Sequence, residues 1–315
     1  MKTSHRQSKN NFARWMQKIP AFFKVLGFII FLTLIFIIIY GPQKAWWEAK
    51  SEIEGFVSPT GYAQSFIDPL LKSGPKDQPS EIQFKVGLVS DSHADAQYYP
   101  KILEKIKEEK VNFIIHLGDF VDAGSIKDLT EAKKLLDDLD IKYYTVCGNH
   151  DHNFWPVRET KNYQSVFGDL YYSFDYQNVH FTILNNSSEY TGVSPEQMEW
   201  FRSDLGGDHS QLKFVLMHIP PYHPYLSHTM QSGEVEIQNQ ADEILKIASD
   251  YHVSEIFSGH LHSFSRFVEP SNKIKITVVG AAGSERNPFP SYAILTVYND
   301  ETYEVESLFL TESVQ

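Results

Sequence analysis

From residue 83 onward, short apolar segments alternate with amphipathic ones, and this alternation restricts the fold more than any other feature. Segments such as FKVGLVS and VNFIIHL are rich in branched and aromatic residues and have the length of buried strands. The segments that follow them, YPKILEKIKEEK and LTEAKKLLDDL, carry apolar residues at helical spacing. Strands that alternate with helices along a chain predict a mostly parallel sheet.

The rest of this region adds more strands. YYSFDY and VHFTILNN are close enough to form a hairpin, and FSRFVE, KIKITVVG, YAILTVY and YEVESLFL are all typical of strands. A helix is predicted at SPEQMEWFRSDL, with Ser194 as N-cap, Pro195 at its first position and Gln197 completing a capping box. The sequence therefore predicts an α/β fold in which two sheets pack together and helices flank them.

Five of the predicted strands end in side chains that can bind metals. In a single segment such as GNHDH, these residues are also typical of a turn, because Gly, Asn and Asp tolerate turn conformations. Their repetition at five strand ends favours a site, since ligands bind outside the carboxyl ends of strands in open α/β sheets. The candidate metal ligands, in chain order, are Asp91, His93, Asp119, Asn149, His218, His260 and His262.

The number and type of these ligands indicate how many ions they hold. Oxygen and nitrogen ligands of this number, with no sulfur, are too many for one tetrahedral ion. They suit two divalent ions that share one carboxylate. Two carboxylates and one bridging hydroxide would leave this pair of cations with about one net positive charge, which attracts a phosphate ester.

The polar segments also resemble a known family. DSH, GDFVD, GNHD, the isolated His218 and GHLH, in that order, resemble the calcineurin-like metallophosphoesterases over about residues 83 to 298. The resemblance implies a four-layer α/β/β/α sandwich of two mixed β-sheets flanked by helices. It also implies a centre of two divalent metal ions, which are Mn, Fe or Zn. The segment YYSFDYQNVHFTILNNS further resembles the branch that contains cyclic-nucleotide phosphodiesterases.

The resemblance implies a role for each ligand. Asp119 would bridge both ions. The first metal would be held by Asp91, His93 and His262, and the second by Asn149, His218 and His260.

Two further residues match catalytic positions of the family. His150 matches its proton-donating histidine, and Asp122 matches the carboxylate that often orients that histidine. Asp122 also stands where purple acid phosphatases have a tyrosine, which argues against a tyrosinate-ligated iron site.

The resemblance implies metal-dependent hydrolysis of a phosphate ester, either a monoester or a diester. The metals would lower the pKa of a bridging water, the resulting hydroxide would attack phosphorus in line, and His150 would protonate the leaving alkoxide. Two alternatives stay open: a non-catalytic metal- or phosphate-binding module on the same fold, and a cyclic-nucleotide phosphodiesterase specifically. The complete ligand set and the presence of His150 favour the enzyme.

An apolar segment near the N-terminus predicts a membrane anchor. VLGFIIFLTLIFIIIY contains no charge, and the apolar stretch counted from Ala21 approaches the ~20 residues that cross a bilayer. Its length and the lack of a small-residue cleavage site favour an uncleaved anchor over a signal peptide. Six basic residues precede it and glutamates follow it, so the main domain is expected outside the cytoplasm. The expected organisation is a basic cytoplasmic segment at 1–24, a transmembrane signal-anchor at 25–40, a stalk or linker at 41–82 and the phosphoesterase domain at 83–315.

Composition restricts the partners. The net charge is −12, so a stable complex with nucleic acid is not expected. The remaining predicted partners are the phosphate-ester substrate and the membrane; the oligomeric state is left open. His116 is expected in the core or on a sheet surface. His152 is expected either to lie in a solvent-facing loop or to extend the site. The long loop at 220–238 leaves open whether Tyr222, His223, Tyr225 and His228 line the substrate pocket.

Overall fold

The structure is a computed structural model that describes residues 80–153, 159–284 and 287–310. Within these residues, strands and helices form two mixed sheets flanked by helices, as predicted. The strands are β1 (Ile82–Val89), β2 (Phe113–His116), β3 (Tyr143–Thr145), β4 (Tyr172–Tyr176), β5 (Val179–Ile183), β6 (Leu212–Leu216), β7 (Glu255–Ser258), β8 (Ser265–Val268), β9 (Lys275–Val278), β10 (Ser291–Tyr298) and β11 (Tyr303–Phe309). The α-helices are α1 (Tyr99–Glu108), α2 (Ile126–Asp137), α3 (Lys161–Phe167), α4 (Pro195–Gly207) and α5 (Val235–Asp250), and a short 3-10 helix covers Met230–Ser232.

The first sheet contains the predicted βαβαβ unit. Its strand order is β11-β10-β1-β2-β3. β1, β2 and β3 are parallel, and α1 and α2 form the connections between them. β10 pairs antiparallel with the other side of β1, so this strand has a neighbour from the C-terminal part of the chain.

The second sheet has the strand order β4-β5-β6-β7-β9-β8. β5, β6, β7 and β9 are parallel, and the two edge strands, β4 and β8, are antiparallel to their neighbours. The predicted hairpin is therefore confirmed as β4 and β5.

An aromatic core lies between the two sheets. Phe84 and Phe113 from the first sheet are buried in one cluster with Phe181, Phe214 and Phe257 from the second. Burial of each such ring stabilises the fold by about 1.5–3 kcal/mol relative to exposure. Because successive side chains of a strand point to opposite faces, the intervening residues of these strands face outward to the helices.

The helices cover the outer faces of the sheets. Ile106 of α1 and Leu129 of α2 share a buried cluster with Ile114 of β2. On the other sheet, Phe201 of α4 is buried in a cluster with Val215 of β6, which also contains residues of α5. Both faces of the parallel strands are thus buried, which explains why these strands are apolar throughout.

Helix α4 begins as predicted, but one of its two capping contacts differs. The Ser194 hydroxyl accepts a hydrogen bond from the Gln197 backbone at 3.2 Å, and Pro195 occupies the first turn. The buried Gln197 side chain does not complete the predicted capping box. It pairs with the backbone of Asn185, donating to the carbonyl at 2.9 Å and accepting from the amide at 2.6 Å. Helix α3 was not predicted from the sequence.

The predicted anchor at 25–40 lies outside the described residues, as does nearly all of the stalk. Among the residues that the structure does describe, no helix has both the length and the apolar character needed to span a bilayer.

Candidate metal centre

The loops after five strands bring all of the predicted ligands together. Both sheets contribute, with β1, β2 and β3 from the first and β6 and β7 from the second. The ligands are Asp91 and His93 after β1, Asp119 after β2, Asn149 after β3, His218 after β6, and His260 and His262 after β7.

These ligands form two overlapping groups, which together are called the metal site below. In each group the potential ligand atoms lie within 4.8 Å of one another, and Asp119 belongs to both. One group is Asp91, His93, Asp119 and His262, and the other is Asp119, His218 and His260. Asn149 joins the second group, because its Oδ1 lies 2.8 Å from His260 Nδ1 and 3.0 Å from His218 Nε2.

Two buried atoms of the metal site have no hydrogen-bond partner among the described residues. They are Asp119 Oδ2 and His93 Nε2, which lie 3.8 Å apart. A buried polar atom without a partner is costly, and each such atom needs an explanation. A carboxylate oxygen and an imidazole nitrogen are both metal donors, so a cation between them would satisfy both. The residues therefore fit the two divalent ions that the sequence predicts.

The backbone is strained where the ligands attach. Five of them have positive φ angles between 45° and 69°, namely Asp91, His93, Asp119, His260 and His262. This left-handed region costs residues other than glycine roughly 1–2 kcal/mol each. Such strain persists only where the surrounding structure imposes it, and it is concentrated at functional sites.

Hydrogen bonds donated by Nδ1 orient two of the ligand histidines. His93 Nδ1 donates to Asp122 Oδ1 at 2.9 Å, and His218 Nδ1 donates to the carbonyl of Leu117 at 2.7 Å. Each bond holds the ring in one orientation and makes Nε2 the ring atom that can bind a metal.

His150 and Asp122 are neighbours, but they contact each other differently from the prediction. His150 Nδ1 donates to the backbone carbonyl of Asp122 at 3.1 Å, whereas the Asp122 carboxylate contacts His93. The orientation of His150 therefore comes from the backbone, and the carboxylate of Asp122 orients a metal ligand. The backbone amide of His150 also donates to Asp119 Oδ1 at 2.8 Å.

Asp151 supports the metal site, a role that was not predicted for it. Its buried carboxylate accepts hydrogen bonds from the amides of Gly148 at 2.8 Å, Asp119 at 2.9 Å and Phe120 at 2.8 Å. These bonds join the loop after β3 to the loop after β2. Burial raises the pKa of Asp151 to about 7, and the neighbouring Asp119 charge adds to this effect.

Asn186 supports the other half of the metal site and was also missed. Its side-chain carbonyl accepts from the His218 amide at 3.0 Å, and its amide donates to the Ile219 carbonyl at 2.6 Å. Asn186 stands in a polar segment directly after β5. The same signal that identified the ligands, a polar residue after a buried strand, was therefore present at this position.

The charges of the ligands strongly affect one another's pKa values. Burial opposes the charged forms of Asp91 and Asp119, but neighbouring histidines outweigh it and hold the pKa of both carboxyls below the usual range. Burial likewise opposes protonation of His218, yet the Asp119 carboxylate, 3.2 Å from its Nε2, raises its pKa to about 10. The metal site is thus an environment that attracts positive charge.

Other histidines have structural positions. His116 is fully buried and stacks on Phe120 with ring centroids 3.7 Å apart, which confirms the core prediction. The solvent-facing position expected for His152 is wrong, because the residue is buried and its Nε2 lies 2.8 Å from the hydroxyl of Ser187.

The long loop after His218 contributes one of its four candidate residues to the described cavities. His228 lines the cavity at the metal site. His223 accepts from two loop amides and contacts Ser265, Tyr222 packs on the apolar core, and Tyr225 is 91% exposed.

A cavity of about 510 Å³ opens over the metal site. His150 lines it together with ligands from both groups, among them Asp119 and Asn149. Its opposite wall is formed by Glu189 and by residues 226–228. The cavity is large enough for a phosphate ester to reach the ligand atoms and His150 at once.

Known proteins of two kinds are similar to this chain. Purple acid phosphatase 22 of Arabidopsis thaliana is 26% identical over 64% of this chain and 51% of its own length. A probable glycerophosphodiester phosphodiesterase of Arcobacter nitrofigilis is 24% identical over 50% of this chain and 58% of its own length. The chain thus spans about half the length of these curated relatives. Both relatives are named as phosphate-ester hydrolases.

Solved structures share this fold. A dimetal phosphatase from Danio rerio superposes with a TM-score of 0.56 and 16% identity, covering 74% of this chain and 100% of its own. The family model for calcineurin-like phosphoesterases matches residues 84–264, a segment that contains every ligand described above and His150. Because this segment is more than half of the sequence, the chain belongs to the calcineurin-like phosphoesterase family.

Proposed function

We propose that this protein is a metal-dependent hydrolase of phosphate esters that acts through a dinuclear centre. The observation that carries the proposal is the position of Asp119, whose carboxylate lies in both ligand groups and keeps one buried oxygen without a hydrogen-bond partner among the described residues. A carboxylate in this position is suited to bridge two ions. The names of the curated relatives support the same class of reaction.

Each ion would have its own set of ligands besides Asp119. The first ion would be held by Asp91, His93 and His262, and the second by Asn149, His218 and His260. Bound divalent metals supply Lewis acidity toward phosphoryl oxygens and acidify water at neutral pH. The donor set of imidazole nitrogens and oxygens is compatible with Mn, Fe or Zn.

The chain itself supplies the proton. His150 lines the cavity over the metal site, and its Nδ1–H bond to the Asp122 carbonyl leaves Nε2 as the reactive ring position. When the ring carries both protons, Nε2 can donate one to the departing alkoxide. The hydrogen bond from Nδ1 to the Asp122 carbonyl keeps the ring in place during this transfer. A carbonyl only accepts hydrogen bonds, so Nδ1 keeps its proton.

The cavity and the relatives support a phosphate ester as the substrate class. The cavity over the metal site accommodates an ester with a substantial alcohol group. Both a monoester and a diester are compatible with it, and a cyclic-nucleotide phosphodiesterase is one specific form of this proposal. A non-catalytic module that binds metal or phosphate would need the same ligands but not His150 in its observed position.

We further propose that the domain is anchored in a membrane and faces away from the cytoplasm. Support comes from the uncharged segment at 25–40 and the basic residues before it. The site would then act on phosphate esters outside the cytoplasm, in the compartment that holds the domain.

Metal content and activity test the proposal together. The purified full chain is expected to hold two ions by elemental analysis and to hydrolyse bis-nitrophenyl phosphate after reconstitution with Mn²⁺. Asp119→Ala should lose most of its affinity for both ions, whereas Asp169→Ala, a change at an exposed aspartate, should keep them. Two tightly held ions in the Asp119 variant would contradict the bridging role. Tight metal binding by the parent without hydrolysis of any ester would identify the non-catalytic module.

A further inference from the structure

A second cavity adjoins the one over the metal site. It has a volume of about 270 Å³ and lies between the loop after β5 and the loop that precedes α5. The two cavities lie side by side, because both are lined by Glu189, Ser227, His228 and the ligand His260. A molecule that occupied both would pass these residues.

The walls of the second cavity are partly apolar and partly hydroxylated. Ile219, Met230 and Ile237 provide apolar surface, while Thr229 and Ser232 provide hydroxyl groups that lie 3.1 Å apart. Such a wall suits a small polar alcohol, because methylene groups pack on the apolar part and polar groups contact the hydroxyls.

Glu189 adds a negative charge where the two cavities meet. Its Oε1 lies 3.8 Å from Nε2 of His260, and its side chain is 40% exposed. Among the described residues that line the two cavities, the carboxylates are Glu189 and the ligand Asp119. No lysine or arginine is among these described lining residues. A cationic group next to the scissile phosphate would be attracted to Glu189, and an anionic group would be repelled.

We infer that the second cavity binds one alcohol of a phosphodiester and that Glu189 selects an alcohol with a positive charge, such as an amino alcohol. This inference rests on the proposed hydrolase function and narrows its substrate class. Glu189 acts here as a specificity-determining residue, because it favours one substrate over another without taking part in bond cleavage. Esters that carry a further phosphate or carboxylate on this alcohol are poor substrates.

Three chromogenic diesters test the inference with the full chain. Each joins nitrophenol through phosphate to a second alcohol, which is 2-aminoethanol, ethylene glycol or 3-hydroxypropionate. The parent should show a kcat/KM for the amino ester that exceeds that for the carboxylate ester by roughly 2–5-fold, the size expected for a partly exposed charge pair. Glu189→Gln should bring this ratio close to one, and Glu189→Lys should reverse it.

A matched variant and the pattern of losses separate the possible outcomes. Glu199→Gln makes the same chemical change at an exposed position on α4 and should keep the parental ratio. A parent that hydrolyses all three esters equally would overturn the inference. An equal loss on all three esters in Glu189→Gln would also overturn it, because Glu189 would then act by positioning His260.

The proposed function fails in a different way. If the metal-loaded parent hydrolyses none of the three esters, the hydrolase proposal itself is wrong. A measurement without variants gives a second test of the inference: the aminoethyl phosphonate should inhibit the parent more strongly than the carboxyethyl phosphonate at equal metal content.

Discussion

His218 Nδ1 donates a hydrogen bond to the backbone carbonyl of Leu117 at 2.7 Å. His218 follows β6 of the second sheet, and Leu117 follows β2 of the first. A single imidazole thus links the two sheets and presents its other nitrogen to the metal site. The same side chain therefore connects the two sheets and places a candidate ligand atom in the metal site.

His218→Ala should lose one of the two ions. The change removes a ligand atom and leaves the Leu117 carbonyl without its donor, so the affinity of one ion should fall by more than the ~10–100-fold typical of losing an outer hydrogen-bond partner. Elemental analysis after dialysis measures the loss. His209→Ala, at an exposed histidine, is the control. Retention of both ions by the His218 variant would contradict its assignment as a ligand.

His150→Ala should keep the metals and slow the reaction in a way that depends on the leaving group. General acid catalysis typically contributes ~10²–10⁴-fold, and an alkoxide needs the proton far more than a nitrophenolate does. The loss in kcat should therefore be much larger for an alkyl or nucleoside phosphodiester than for bis-nitrophenyl phosphate. Equal losses on both substrates would show that His150 stabilises phosphoryl charge or positions the substrate.

Gly148→Ala should disturb Asp119 directly. A Cβ atom at position 148 would overlap the backbone nitrogen and Oδ1 of Asp119. The hydrogen bond from this nitrogen to Asp151 holds it in place. We expect a destabilisation of about 1–3 kcal/mol, as for other overpacked sites, together with weaker metal binding. Thermal unfolding and metal titration measure the two effects. Gly207→Ala, where a Cβ meets nothing within 4 Å, should be close to neutral.

The stability contributed by His180 should depend on pH. His180 Nδ1 lies 2.7 Å from Asp175 Oδ1, and its Nε2 lies 3.0 Å from Asp204 Oδ2, with Asp208 3.8 Å away and Lys213 beside Asp208. Burial opposes protonation, but the hydrogen bonds to Asp204 and Asp175 outweigh it and raise the pKa of His180 above 6.5. The pKa of Asp204 lies below its usual 3.8, because hydrogen bonds to its carboxylate outweigh the effect of burial.

The sign of the pH effect follows from these directions. The His180 contribution is complete below pH 6.5 and is lost as pH rises through the raised pKa, and the Asp204 contribution is complete above pH 3.8. His180→Asn should therefore lower the free energy of unfolding by about 1–3 kcal/mol at pH 5.5 and by less at pH 9. Urea unfolding at both pH values measures this difference. A constant difference would show that His180 contributes only by packing.

The proposed anchor predicts the accessibility of the domain in cells. The basic residues before segment 25–40 should keep the N-terminus in the cytoplasm, so the metallophosphoesterase domain should be outside. Protease added to intact cells, or to spheroplasts where an outer membrane exists, should degrade the domain. Full protection while a known external marker is digested would contradict this topology. A mature protein that begins near residue 45 would contradict only the anchor.

Local sequence signals identified the strand ends and the candidate ligands, because both depend on a few neighbouring residues. A buried strand that ends in Asp119 or His218 can be recognised from apolar residues followed by a polar one. The partners of these residues are different, since Asp151 and the Leu117 carbonyl are defined only by contacts across loops and between sheets. The exchange of roles at Asp122, whose carboxylate contacts His93, likewise depends on side-chain direction.

Long-range pairing was also beyond the reach of the sequence. The pattern indicated that residues 292–298 form a strand but gave no sign that it lies beside β1. Gln197 shows the same limit on a smaller scale: the capping box was a valid local expectation, and the backbone of Asn185 competed successfully for the side chain. Such outcomes are decided by tertiary packing.

The pairing of β1 with β10 sets an order for the folding of the protein during its synthesis. β1 leads directly into Asp91 and His93, and one of its two neighbours, β10, is translated about two hundred residues later. During synthesis, Asp91 and His93 therefore follow a strand that at first lacks one of its two neighbours. β1 gains this neighbour only after β10 has been synthesised. Complete metal binding is therefore expected only after β10 has been synthesised, in the compartment where β1 and β10 pair.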